Sequence, residues 1–463
     1  MKKIKIFLLL LLPAIAFNSG CKKYIEGFDV SPNDPLTVTP PLLLSHCQVD
    51  VMVGYTGQLA RLSSVLIQQS AGTDQQFAEY ADYILLEGDN NNEWNSIYAT
   101  GLISMKKLVE MTQSSSPHYA GIAKVLMAME LGLATDFWGD IPNREGLGGE
   151  GGEDFFNPRF DAQQIVIQDI QALLDDAISD LDPGKSNVNV PGSDDFIHGG
   201  DVTKWIKTAW VLKARYANRL SKRNASGSAT DALTYLTNAG LTDASDDARA
   251  YFGTNGNELN QWYAFNISRG NYMKMGKHFI ELMKSISDPR LPFFATTDGS
   301  GGYSGTAADS SNTNTSNLGT YYGSAASSLP LVSFVEAKFI EAEANHRLGN
   351  MQAAADAHNA AVIASVEQVT GATIPAPYLA AEASETAATI NLTKIMTHKY
   401  IAMFTQPEVW ADWRRTNIPA LTPNPNGVVP GIPRRLVTPE DERVNNRNAV
   451  VVSDLLKPVW WDE

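Results

Sequence analysis

The stretch EANHRLGNMQAAADAHNAAV, residues 343–362, interrupts a helical pattern once and resumes it immediately. Leu348 and Gly349 close one helix, because glycine takes up the backbone conformation past a helix end without a side-chain penalty. Ala353, Ala354, Ala357, Ala360 and Ala361 then line the next helix. Their small side chains let two helices approach closely. The spacing predicts a tight helical hairpin.

A Leu-Gly stop followed by spaced alanines is similar to a tetratricopeptide hairpin, although no strict 34-residue period runs through the chain. Apolar residues recur at three-to-four spacing from Leu42 onward. Examples are HYAGIAKVLMAMELGLATDFW (118–138), AQQIVIQDIQALLDDAISDL (162–181), DVTKWIKTAWVLKARYANRLSK (201–222) and GKHFIELMKSI (276–286). Strand-like alternation is rare. The expected fold is mostly α, a single body built on tetratricopeptide-like helical hairpins with long irregular loops. The longest loop, 286–330, is rich in Gly, Ser, Asn and Thr, which build no apolar core. It is expected to be exposed or partly disordered.

The amino-terminus reads as an export signal. MKKIK is basic, and Ile6 to Phe17 is an apolar run too short for a membrane span. Asn18, Ser19, Gly20 and Cys21 follow, a small-small-Cys ending that looks like a bacterial lipoprotein signal with Cys21 as the lipidated residue. The expected boundaries are a signal peptide over 1–20, a lipid-anchored tether and extended lead-in over 21–40, and one α-helical binding domain over 41–463. The formal net charge is −15, and the leader takes three lysines with it. Such an acidic body excludes nucleic acid as a partner, which needs a basic face. Two cysteines make neither a disulfide framework nor a four-cysteine zinc site. The seven histidines show no HExxH spacing, and no cofactor or metal is expected.

Two short stretches look like chemistry. TDFWGDIP (135–142) sets Asp136 and Asp140 beside aromatic rings, as a surface glycoside hydrolase would. Gly139 and Pro142 instead mark a helix stop, and opposed catalytic carboxylates more naturally come from different elements. EVWADWRRT (408–416) places Trp410 and Trp413 on one helix face, with Arg414 and Arg415 able to stack on them or pair with Glu408 and Asp412. A packed knot is the expectation there. In EGDNNNEW, Asp89, Asn91 and Glu93 alternate as in a calcium loop, but Trp94 stands where that loop needs glycine.

Taken together, several segments resemble the SusD/RagB family of outer-membrane nutrient-binding lipoproteins. They are GIAKVLMAMELGLATDFWGDIPNREGL (121–147), FDAQQIVIQDIQALLDDAISDL (160–181), GGDVTKWIKTAWVLKARYANRL (199–220), DPRLPFF (288–294), FVEAKFIEAEANHRLG (334–349), KYIAMFTQPEVWADWRRTNIP (399–419), IPRRLVTPEDERVNNRN (432–448) and VWWD (459–462). The resemblance implies a non-catalytic lipoprotein of the cell outer membrane, lipid-anchored and surface-exposed. It would capture oligosaccharides or peptides and deliver them to a SusC-like TonB-dependent transporter. The alternatives to this reading are a surface glycoside hydrolase using Asp136 and Asp140 and a purely protein-binding helical-repeat adaptor.

Ligand-facing aromatics should stand in polar, non-periodic surroundings. ELNQWYAFNISRGNYMKM (258–275) offers Asn260, Trp262, Tyr263, Asn266, Arg269 and Tyr272. TDQQFAEYADYILLEGDN (73–90) offers Gln75, Gln76, Phe77, Tyr80 and Tyr83, of which the three rings also follow helical spacing and so could face the core. The long loop adds Tyr303, Tyr321 and Tyr322. Both segments lie roughly where members of the resembled family place ligand-contacting loops.

Overall fold

Helical hairpins dominate, as the alanine-spaced stretch predicts. The computed structural model describes residues 38–463. The signal peptide, Cys21 and nearly all of the 21–40 tether lie outside them. The chain enters through α1 (Pro40–Thr56) and α2 (Gln58–Leu66), then β1 (Ser70–Gly72) and α3 (Gln75–Ala81). α4 (Ile103–Thr112) packs on α5 (Pro117–Trp138), and α5 on α6 (Gln163–Asp180). α7 (Val202–Arg219) turns within five residues into α8 (Ala225–Ala239). Next come β2 (Ala248–Ala250), α9 (Gln261–Ser268), β3 (Met273–Met275), α10 (Lys277–Ser285) and β4 (Leu329–Val332). The opening stretch forms α11 (Phe334–Arg347) and α12 (Met351–Thr370), followed by α13 (Leu392–Ala402) and α14 (Glu408–Thr416). β1 pairs antiparallel with β3, and β2 with β4.

Small residues sit where the hairpins meet. Ala214 and Ala217 of α7, Ala229 and Ala232 of α8, and Ala344 of α11 form one buried cluster. In α12, Ala354, Ala355, Ala357 and Ala361 are buried, whereas Ala353 faces solvent. The helix stops also stand where expected: Gly139 and Gly349 take φ of 82° and 78°.

TDFWGDIP serves the core. Asp136 is buried and receives Arg219 of α7 at 2.8 Å. Asp140 accepts the Gln163 backbone N–H at the start of α6, at 2.9 Å. Both carboxylates are thus committed to structure. The same arginine also holds Glu408 of α14 at 2.5 Å, and Glu408 faces Arg215 at 3.6 Å. Arg215 in turn grips Glu336 of α11 at 2.6 Å. Arg415 joins Asp412 to Glu343, while Arg414 lies over the rings of Trp410 and Trp461 and donates to the Asp136 carbonyl. EVWADWRRT is therefore a packed knot joining α5, α7, α11 and α14.

The long loop departs from expectation. Thr306, Ser316 and Tyr322 are buried. Thr306 N–H donates to the Met275 carbonyl, and Met275 N–H to Ser316. Asp298 collects bonds from Ser300, Gly302 and Ser304, which hold its carboxyl well below the usual range. Hydroxyls and carboxylates supply the fixing contacts that composition alone does not reveal.

Burial raises the Glu408 carboxyl, but Arg219 and Arg215 overcome it and hold the group at about 2. Burial pushes Asp136 up to about 6 against the pull of Arg219. Replacing the shared cation in Arg219→Met should destabilise the fold by about 3–5 kcal/mol, read by urea denaturation, because buried Asp136 loses its ion-pair partner and Glu408 keeps only Arg215 at 3.6 Å. An unchanged midpoint would refute this role. A group held below its ordinary value of 4.5 contributes stability at higher pH that is lost as pH falls through about 2. In a series of denaturation curves across that window, Glu408→Gln should show a shallower acid-side decline than the parent protein.

Candidate functional site

Where α2 ends, several strands of backbone meet. Gln68 adopts φ of 61°, turning the chain into β1, and its side-chain amide donates to the Thr422 carbonyl at 2.6 Å. Gly276, between β3 and α10, donates its N–H to the Gln69 carbonyl at 2.9 Å. A Cβ at Gly276 would stand 2.1 Å from the Gln68 carbonyl, so only glycine permits this approach. Beside the junction opens a cleft of about 660 Å³. Val65 and Ala71 line it from α2 and β1; Lys277, His278, Glu281 and Leu282 come from α10; residues 306–309 and 422–425 complete it.

Asn424 fixes the loops around this space. Its side-chain amide donates to the carbonyls of Ala81 and Ala308 and to the Asp82 carboxylate, at 2.7–2.9 Å. Its backbone N–H donates to the Tyr83 hydroxyl at 2.8 Å. Burial raises the Tyr83 phenol, and this bond partly offsets the rise. His278 is half-buried, and burial pulls its imidazole below the ordinary value. It is therefore neutral at neutral pH, and its Nε2 has no partner among the described residues. With Lys277, Glu281 and Asp309 exposed at the rim, the cleft offers donors and acceptors of both charges. Such a set can read hydroxyl or amide groups.

Of the residues singled out from the sequence, Tyr83 alone lines the cleft, with its ring almost wholly buried. Phe77 and Tyr80 face the core, and the Tyr80 hydroxyl meets Gln58. Gln75 and Gln76 are exposed on α3. Asn260 is buried because it caps α9, accepting the Trp262 and Tyr263 N–H groups at 2.9 Å. Trp262 packs edge-on against Phe404 in the core. Asn260 serves the helix start, and Trp262 borders a small pocket with Phe265 and Asn266, its indole N–H without a partner among the described residues. Tyr263, Tyr272 and Tyr303 are half-buried, and Arg269 is exposed over the rings of Phe265 and Tyr272. Tyr321 is half-buried beside buried Tyr322. The polar face of α10 escaped sequence reading. Lys277, His278, Glu281 and Ser285 recur at helical spacing, yet nothing in the sequence says that this face borders a cleft. Among the described residues, no cluster of His, Cys, Asp and Glu forms a metal-ligand set, and no helix is long and apolar enough to cross a membrane.

Residues 32–439 match the model of a SusD-like family described as starch-binding and associating with the outer membrane. The chain belongs to this SusD-like family. No curated protein matches it. Its fold is similar to that of a chitin-binding SusD homolog from Flavobacterium johnsoniae, with 20% identity over 91% of this chain and 98% of that one, at a TM-score of 0.79. A SusD/RagB family protein from Bacteroides thetaiotaomicron is similar at 22% identity over 92% of this chain and 99% of that one, at a TM-score of 0.78.

Asn424→Ala should unfasten the loops from α3 and destabilise the protein by about 1–3 kcal/mol in urea, since the Ala81 and Ala308 carbonyls and the Asp82 carboxylate lose their donor. A loss below about 0.5 kcal/mol would show that the loops hold without it.

Proposed function

We propose that this protein captures oligosaccharides at the outer membrane and passes them, without catalysis, to a SusC-like TonB-dependent transporter. Cys21 carries the lipid that anchors it at the cell surface, each buried methylene adding about 0.8 kcal/mol of membrane affinity. The carrying observation is the family match over 408 residues. It is supported by a wide, polar-rimmed cleft between α10 and two loops. In this reading the chitin-binding character of the Flavobacterium relative extends to this chain as a class of ligand, a glycan. Sugar hydroxyls would exchange hydrogen bonds with water for bonds to His278, Glu281 and the loop carbonyls. Such bonds are worth little singly, so binding is reversible and suited to release into a transporter.

Short peptides are the second reading. One observation favours it: the lining is built from small apolar side chains and opposite charges, and its one tyrosine is buried. Stacking platforms for sugar would then come from half-buried Tyr263, Tyr272 and Tyr303, outside the cleft.

Calorimetry of the lipid-free protein against starch-derived and chitin-derived oligosaccharides and short peptides separates the two. With a glycan bound in the cleft, His278→Ala and Glu281→Ala should each weaken affinity by about tenfold. Equal affinity in both variants would remove the cleft from the proposal, and sugar release in a turnover assay would remove its non-catalytic part.

A further inference from the structure

The protein gives a cation to almost every glutamate it buries. Among the described residues, five glutamates are buried. Glu336 meets Arg215, Glu343 meets Arg415, Glu385 meets Lys394 and Glu408 meets Arg219, all at 2.5–2.6 Å. Glu130, in the middle of α5 and 1% exposed, has no such partner. Its Oε2 makes no hydrogen bond. A buried carboxyl with unmade bonds is costly, and natural folds rarely keep one without a use.

Glu130 lines a second cavity of about 240 Å³, which Gln58 and Leu59 border from the start of α2 whereas Val65 near its end borders the cleft. Glu93 lines the same space and likewise forms no ion pair among the described residues. Gln58, Asn92 and Ser96 add polar side chains to the wall, and Leu59 and Ile97 add apolar surface. The charged neighbours are few. Asp50 lies close to Glu130 and is itself beside His46 at 3.3 Å; Glu93 feels the Arg61 guanidinium and, with opposite sign, the Asp89 carboxylate. We propose that this cavity is a binding site for a protonated primary amine on a compact organic body, with Glu130 and Glu93 supplying the counter-charge. A bare divalent ion fits less well, because no three acidic or histidine side chains converge there. The volume and the apolar wall suit carbon attached to the amine. The site is separate from the cleft, so it stands or falls independently of the glycan reading.

The empty and filled states differ by a proton. Burial, with Asp50 adding to it, pushes the Glu130 carboxyl well above its ordinary value, so the free site favours its protonated form. An ammonium group beside it favours the carboxylate, and the proton leaves to solvent. Binding therefore strengthens as pH rises, up to the point where the amine itself loses its charge.

Calorimetry of the full-length protein at pH 7, in two buffers of different ionisation enthalpy, reads both affinity and proton release. Glucosamine is compared with glucose, and glycylglycine with its amino-acetylated form; calcium chloride is a third arm. The expected result is binding of one or both amines with release of a proton, and no binding of their neutral twins. Which amine binds tells a sugar source from a peptide source. Glu130→Gln should weaken the amine by at least about tenfold and abolish proton release. If that variant does not fold, Glu93→Gln, on the half-exposed wall, should weaken binding in the same assay. Equal binding of the neutral twins, binding of calcium alone, or no amine binding at all would overturn the proposal.

Discussion

Buried guanidinium–carboxylate pairing is the constraint on which this structure depends. Arg215, Arg219 and Arg415 each join carboxylates from different helices, and together they link α5, α7, α11 and α14. Each charge would be expensive alone in the interior; paired, the set fixes which helix sits against which. Alanine contacts let the hairpins approach, but they specify little about rotation or register. The ion pairs are directional, and Arg414, clamped between Trp410 and Trp461, adds a further geometric demand. The acids and rings of TDFWGDIP and EVWADWRRT are two halves of this one assembly.

The architecture was legible because it rests on local signals. Leu348-Gly349, Gly139 and the three-to-four spacing of apolar residues each act within a few positions, and the observed helices follow them. Segment order then carried the family. The long loop was misread because composition measures apolar content, while Thr306, Ser316 and Asp298 hold their places through hydrogen bonds to partners far away or to one another.

The site was less legible, for a related reason. Aromatic residues in polar surroundings are expected to face ligand, yet Trp262 and Tyr80 are buried in the core by elements distant in sequence. Asn260 has a clear local meaning as a helix cap, its Oδ1 accepting two backbone N–H groups. His278 and Glu281 lie on a helix face whose sequence carries no local mark of a cleft. Only the arrival of residues 306–309 and 422–425 turns that face into a cleft wall.

Asn424 reaches from one loop to α3 and to a second loop with a single amide. In evolutionary terms, this makes the rim of the cleft one heritable unit instead of three. A change of length near 308 or 424 alters the geometry of the other segment at once, so the shape of the cleft cannot drift by swapping one loop alone. Variation has freer ground at the tips, around 299–302 and 310–314, where the chain is exposed or half-exposed and held mainly by its own turns. Relatives that share the Asn424 tie would then be expected to differ first in those tips and to keep the frame beneath them.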